Sequence, residues 1–183
     1  MRSLQPLQSK LGPVMLQFPS MCDERTLEMI FALCDMWTLA TPLSVEVRNL
    51  AYFDKNQIEQ RFLAGLSDRN VNRVVMDSRP VFSTEAYCDS LVDAQKKKPR
   101  VPCHPVATAG YPVVRFIGHP DLPRNDVWLD QWAKKLVQWL EEGRTPFVFV
   151  HSSDNIAAPT LASQLDQKVQ VLCPHYRSQL ILP

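Results

Sequence analysis

Five short apolar runs limit what this chain can fold into: Pro13–Phe18, Leu43–Val47, Val71–Met76, Pro112–Ile117 and Pro146–Val150. Each is rich in valine or phenylalanine and is fenced by proline, glycine, asparagine or aspartate. Continuous apolar runs of this length suit strands buried on both faces, as in a parallel sheet. Between them lie stretches with helical spacing. Asp23 precedes Leu27, Ile30, Phe31 and Cys34, a capped amphipathic helix. Asp54 followed by Gln57 reads as a capping box opening a helix through Ile58, Phe62 and Leu66. Asn125 or Asp126 precedes the stripe Trp128, Leu129, Trp132, Leu136, Trp139 and Leu140, which Gly143 ends. A last helix is predicted over Ala158–Lys168, capped by Asp154 or Asn155.

Strand and helix therefore alternate, the pattern of right-handed βαβ units. Residues Phe82–Ala109 break the rhythm with a helix over Thr84–Gln95, the basic run Lys96–Lys97–Lys98, and a proline- and histidine-bearing stretch to Pro105. They read as a long loop over one rim of the sheet, and such loops are often functional. A closed barrel of this type needs roughly eight strands and 250 residues. Five strands in 183 residues fall short of that, so the expectation is a partial barrel in a single domain over 1–183.

Composition excludes several classes. The formal net charge is +1, so no global field draws nucleic acid or an anionic membrane. The five cysteines (Cys22, Cys34, Cys88, Cys103 and Cys173) form no CxxC pair, which argues for a reducing compartment over a disulfide framework or zinc site. The first ten residues hold no apolar run for a signal peptide, and no stretch approaches the roughly 18 apolar residues of a membrane span. A cytoplasmic protein is expected. There is no Walker loop, no dinucleotide fingerprint, no HExxH and no GxSxG, and no cofactor is assigned.

The runs carry a resemblance. Leu11–Gly12–Pro13–Val14–Met15–Leu16–Gln17–Phe18–Pro19, Val45–Glu46–Val47–Arg48, Val74–Val75–Met76–Asp77, Val113–Val114–Arg115–Phe116–Ile117–Gly118, and Phe147–Val148–Phe149–Val150–His151 leading to Asp154–Asn155 resemble, in order and spacing, the YecE-like family, domain-of-unknown-function family seventy-two. The resemblance implies a TIM-type β/α barrel and no established activity. It also implies further strands ahead of the Gln17 run, so the chain reads as an N-terminally truncated member. Some members carry an asparagine pair where this chain has His151–Ser152–Ser153–Asp154–Asn155, so the family assigns no role to His151.

Residues i and i+2 of a strand share a face, which puts Glu46 and Arg48 together between the outward pair Val45 and Val47. In a barrel the C-terminal strand ends form the active-site rim. That rule gathers Gln17, Glu46, Arg48, Asp77, Arg115 and His151 at one edge. Charged groups in apolar strands are costly unless paired or used. The functional reading makes Glu46, Asp77 and His151 candidate catalytic groups, with Gln17, Arg48, Arg115 and Asn155 contacting an anionic or polyhydroxyl ligand. The structural alternative is mutual neutralisation, Glu46 with Arg48 and Asp77 with Arg115.

Other residues have plainer roles. The tryptophan stripe is expected to pack against the sheet. Lys96–Lys98 with Arg100 is read as a solvated loop that could touch phosphates. His104, His119 and His175 lack ligand-spaced partners, so no metal site is assigned. Three functions stay open: a ligand-binding barrel enzyme, a nucleic-acid-binding or metal-dependent phosphodiester-processing barrel, and an inactive remnant with exposed sheet edges that associates poorly folded or self-paired.

Overall fold

The computed structural model describes Leu7, residues 10–153, residues 155–178 and Leu180. Five strands form one sheet in sequential order: β1 (Val14–Gln17), β2 (Leu43–Glu46), β3 (Asn72–Asp77), β4 (Val113–Gly118) and β5 (Phe147–Ser152). Five helices alternate with them: α1 (Leu27–Asp35), α2 (Gln57–Asp68), α3 (Asp89–Lys97), α4 (Asp126–Glu141) and α5 (Ala158–Leu172). This is the arrangement of a partial α/β barrel, and each predicted strand lies within two residues of its observed bounds. The two-sided burial inferred from continuous apolar runs holds where it matters most: every residue of β2 and β3 is buried. Chain contacts divide the protein into two compact units, residues 1–75 with 106–113, and residues 76–105 with 114–183.

In the first unit β1, β2 and β3 run parallel, with Gln17 beside Glu46, Ser44 beside Asn72, and Val45 beside Arg73. The register assigns faces. Arg73 donates from Nη1 to Glu59 of α2 at 2.7 Å, so Arg73 and its neighbour Val45 look toward the helices. Side chains alternate along a strand, which turns Ser44, Glu46 and Gln17 to the face away from α2. Thr108 Oγ1 accepts the Arg73 backbone N–H at 2.8 Å and donates to the Val71 carbonyl at 2.7 Å, tying the segment before β4 to the start of β3.

Helices α1 and α2 pack closely because Gly65 lacks a side chain: a Cβ there would come within 2.2 Å of the Phe31 ring. The Arg69 guanidinium lies over the same ring, 4.6 Å from its centroid. The start of α2 differs from expectation. Its cap is Asn56, whose side chain accepts from the N–H groups of Ile58 and Glu59. Asp54 is two residues too early to reach those donors. Asparagine at the cap position does the job that the aspartate was expected to do.

In the second unit α4 buries Leu129, Trp132, Leu136 and Trp139 of the stripe read from the sequence, adds Ala133 and Val137 to it, and leaves Trp128 and Leu140 half-buried. Its end follows the pattern expected for glycine. Gly143 has φ +75, Arg144 N–H bonds the Trp139 carbonyl at 2.9 Å, and Gly143 N–H bonds that of Leu140 at 3.0 Å. This is a Schellman ending, which needs a residue at ease with left-handed backbone. Lys168 of α5 reaches Asp130 and Asp126 of α4 at 2.7 and 3.1 Å.

Two predicted helices change their bounds. The helix expected over Thr84–Gln95 runs instead from Asp89, because Thr84 is engaged elsewhere, to Lys97, which places Lys96 and Lys97 in its last turn and not in a loop. Helix α5 continues four residues past Lys168 to Leu172. The long loop is anchored at both ends of α3: Gln95 Nε2 donates to the Val81 and Thr84 carbonyls at 2.8 and 2.9 Å, and Ser78 Oγ donates to that of Pro99 at 2.8 Å.

Candidate functional site

The polar side chains singled out from the sequence fall into separate clusters, one in the first unit and three in the second. Gln17, Glu46, Arg48, Asp77 and His151 sit at or near the C-terminal ends of their strands, where side chains can turn toward a ligand. Arg115 is the third of six residues of β4 and lies short of that end.

The first-unit cluster is the one the sequence described best. Arg48 donates from Nε to Glu46 Oε1 at 2.9 Å and from Nη2 to Gln17 Oε1 at 2.7 Å. The Glu46 side chain is 1% exposed and that of Arg48 25%. A buried carboxylate is thus held by a guanidinium that reaches solvent, with an exposed amide on its far side. Asn49 continues the row, donating from Nδ2 to the Ser20 carbonyl at 2.6 Å and accepting from Ala51 N–H. Ser44, two residues before Glu46 on the same face, has a buried hydroxyl with no hydrogen-bond partner among the described residues.

In the second unit, Asp77 ends β3 with its side chain fully enclosed. The guanidinium on this carboxylate is that of Arg79, which the strand-based reading passed over. Arg79 donates from Nε to Oδ1 and from Nη2 to Oδ2, both at 2.8 Å, and its backbone N–H reaches Oδ1 at 3.1 Å. Trp132 adds its indole N–H to Oδ2 at 2.7 Å. Four donors on two oxygens leave the carboxylate well satisfied, and Asp77 acts as the fixed point on which Arg79 is set. Trp132 therefore does more than pack.

His119, enclosed at the end of β4, forms the third cluster. Nδ1 accepts the Asp121 N–H at 3.0 Å, so the proton sits on Nε2, which donates to Thr84 Oγ1 at 3.0 Å. Asn125 closes the same turn: Oδ1 accepts the His119 N–H at 2.7 Å and Nδ2 donates to the His119 carbonyl at 3.0 Å. Its side chain is spent on that turn and makes no cap bond to α4. Burial holds the imidazole below its ordinary pKa, with Arg124 acting in the same sense.

The fourth cluster gathers around His151 on β5. Burial lowers its pKa, Arg115 and Lys98 lower it further, and a hydrogen bond to the Asn155 side chain opposes them. Of the residues chosen from the sequence, Asn155 hydrogen-bonds His151 here and the charge of Arg115 acts on the same imidazole. Asn155 has φ +63, and its carbonyl accepts the Ala158 N–H at 3.3 Å. It thus shapes the entry to α5, while Ser152 Oγ accepts the Ala157 N–H at 3.2 Å. Asp154, the other cap expected there, lies outside the described residues. Ser153 Oγ donates to Ser90 Oγ at 3.3 Å, linking the end of β5 to the start of α3.

The five cysteines are free thiols, and burial pushes that of Cys34 up to about 11, which keeps it inert. Among the described residues no three His, Cys, Asp or Glu side chains converge to hold a metal ion. No described helix is long and apolar enough to cross a membrane.

Residues 1–179 match the model of the family described as protein of unknown function DUF72. The UPF0759 protein YecE of Escherichia coli strain K12 is 36% identical over 180 residues, which cover 98% of this chain and 66% of that protein. The protein of the same name from Escherichia coli O157:H7 is 35% identical over the same share. A crystal structure of a DUF72 family protein from Thermotoga maritima MSB8 shares the fold, with a TM-score of 0.66 at 19% identity, covering 92% of this chain and 62% of that one. The chain thus spans about 66% of the length of the curated relatives it matches. A family match along almost the entire sequence, with close relatives and a shared fold beside it, makes this chain a member of the DUF72 family.

Proposed function

We propose that the protein binds a small polyhydroxyl or anionic ligand at the C-terminal strand ends. The observation that carries this reading is the Gln17–Arg48–Glu46 row, in which a partly exposed guanidinium bridges a sealed carboxylate and an exposed amide. A carboxylate and a guanidinium neutralise one another, so the row offers alternating acceptors and donors with little net charge. Vicinal hydroxyls match that pattern, and a ligand carboxylate could share the guanidinium. Gln17 and Arg48 would hold the ligand. Glu46 is the group placed to take or give a proton if the bound ligand reacts.

In the other unit Arg115, His151 and Asn155 offer a cation, a neutral imidazole and an amide to the same class of ligand. Asp77 enters only through the arginine it fixes. A nucleic-acid or phosphodiester reading has less support, because the basic run is partly occupied: Lys97 pairs with Asp93 at 2.6 Å and Arg100 lies over the Phe82 ring. Five free thiols suit a reducing, cytoplasmic setting.

Calorimetric titration with a panel of sugars, sugar acids and sugar phosphates tests the proposal. The variant Gln17→Ala leaves the ion pair intact and should weaken binding about tenfold, the scale of a hydrogen bond to a charged group. Arg48→Lys should weaken it further by removing the fork. Equal affinities for wild type and both variants, or no binding across the panel, would sink the reading.

A further inference from the structure

A guanidinium carries five N–H donors in a rigid plane. In Arg79 two of them, on Nε and Nη2, are taken by the two oxygens of Asp77 at 2.8 Å. One on Nη1 goes to Gln131 Oε1 at 3.2 Å. Among the described residues, one donor on each terminal nitrogen is left over, on a side chain that is 35% exposed. The plane is also fixed from one face, since the guanidinium carbon lies 4.5 Å from the centroid of the Trp128 ring.

This is a heavily built support for a side chain that still meets solvent. The sealed Asp77 carboxylate needs the guanidinium as its counter-charge, but Nε and Nη2 meet that need, and Nη1 with Gln131 and the Trp128 ring orient the plane further. Its hydrogen bonds to Asp77 hold the pKa of Arg79 above its ordinary value, so it stays charged. An arginine that is free to rotate gives up side-chain entropy when it is fixed. Here that ordering is done before any ligand arrives, which is what preorganisation means.

We propose that Arg79 anchors an oxyanion site, taking a carboxylate or phosphate group through its two remaining N–H donors, with the Trp128 indole as one wall. The site lies wholly within the second unit and uses none of Gln17, Glu46 or Arg48, the row that carries the function proposed above, so the two can be tested separately. Two donors on separate nitrogens suit an anion that offers two oxygens better than a halide.

The experiment follows the arginine side-chain Nε–H resonances of the full chain by NMR while inorganic phosphate or acetate is added. In wild type, the Arg79 resonance should move saturably. Response to phosphate alone marks a phosphate-type site, and response to both marks a general oxyanion site. Calorimetry should show Arg79→Lys binding the active probe at least tenfold more weakly, because the charge remains and the fork is lost. Gln17→Ala should bind it as wild type does. The proposal is overturned if neither anion moves the Arg79 resonance saturably, or if a folded Arg79→Lys protein binds as tightly as wild type. Should that variant unfold, the wild-type titration decides alone.

Discussion

Arg73 and Glu59 meet at 2.7 Å with side chains only 1% and 5% exposed, a salt bridge sealed between β3 and α2. The guanidinium also donates from Nη2 to the Tyr52 carbonyl at 3.2 Å and stands over the Phe53 ring at 4.8 Å. Glu59 accepts the Lys55 N–H at 2.8 Å with its other oxygen, so the pair also steadies the entry to α2. Removing one partner strands a buried charge, whereas removing both restores an apolar contact. Glu59→Ala is therefore expected to cost about 3–5 kcal/mol, and Glu59→Leu with Arg73→Met to recover most of that loss. Urea unfolding checks it. A single variant as stable as the double one would show that the buried pair contributes no such penalty.

The two lowered histidines fix the sign of the pH response. His119 needs Nδ1 as an acceptor for the Asp121 N–H, and protonation removes it. Burial lowers both His119 and His151 from the ordinary 6.5. Between that value and the lowered ones the unfolded chain binds more protons than the folded chain. Stability is therefore complete above about pH 6.5 and declines as pH falls through that range toward the native values. Urea midpoints at about pH 7.5 and about pH 5.5 should differ in that direction, and His119→Gln should shrink the difference. A wild-type protein that gains stability on acidification would contradict it.

The strands were legible because burial on both faces writes itself as a nearly continuous apolar run, and Val113–Ile117, interrupted by Arg115 alone, tolerates few other readings. The Glu46–Arg48 contact was legible too, since i and i+2 share a face by geometry alone. Arg79 was not. Like Arg48 past β2, it stands two residues beyond the end of its strand, but the apolar run stops at Met76 and Pro80 follows, so Ser78–Arg79 read as a turn and not as continuing strand. The Thr84–His119 bond spans 35 residues, a separation that local spacing cannot register. The α2 cap illustrates a subtler failure: Asp54 and Asn56 are both good caps. Which one serves depends on where the preceding 3-10 turn, Leu50–Phe53, delivers the chain.

β1 and β5 stand at the two ends of the strand order, and each carries an exposed apolar side chain, Met15 at 37% and Phe149 at 46%. Terminal strands present backbone donors and acceptors to any other strand that approaches, and proteins commonly blunt them with charge. Neither Val14–Gln17 nor Phe147–Val150 contains a lysine, arginine, aspartate or glutamate. Concentration-dependent self-association is the expected consequence, visible as a rising average mass in sedimentation or light scattering. Phe149→Lys should reduce it by placing a charge where a second strand would dock. Its effect on unfolding should stay near ~0.5 kcal/mol, because the ring it replaces is already half in water. If the wild-type chain remains monomeric at every concentration reached, or if Phe149→Lys associates as strongly as wild type, the β5 edge is not where copies meet.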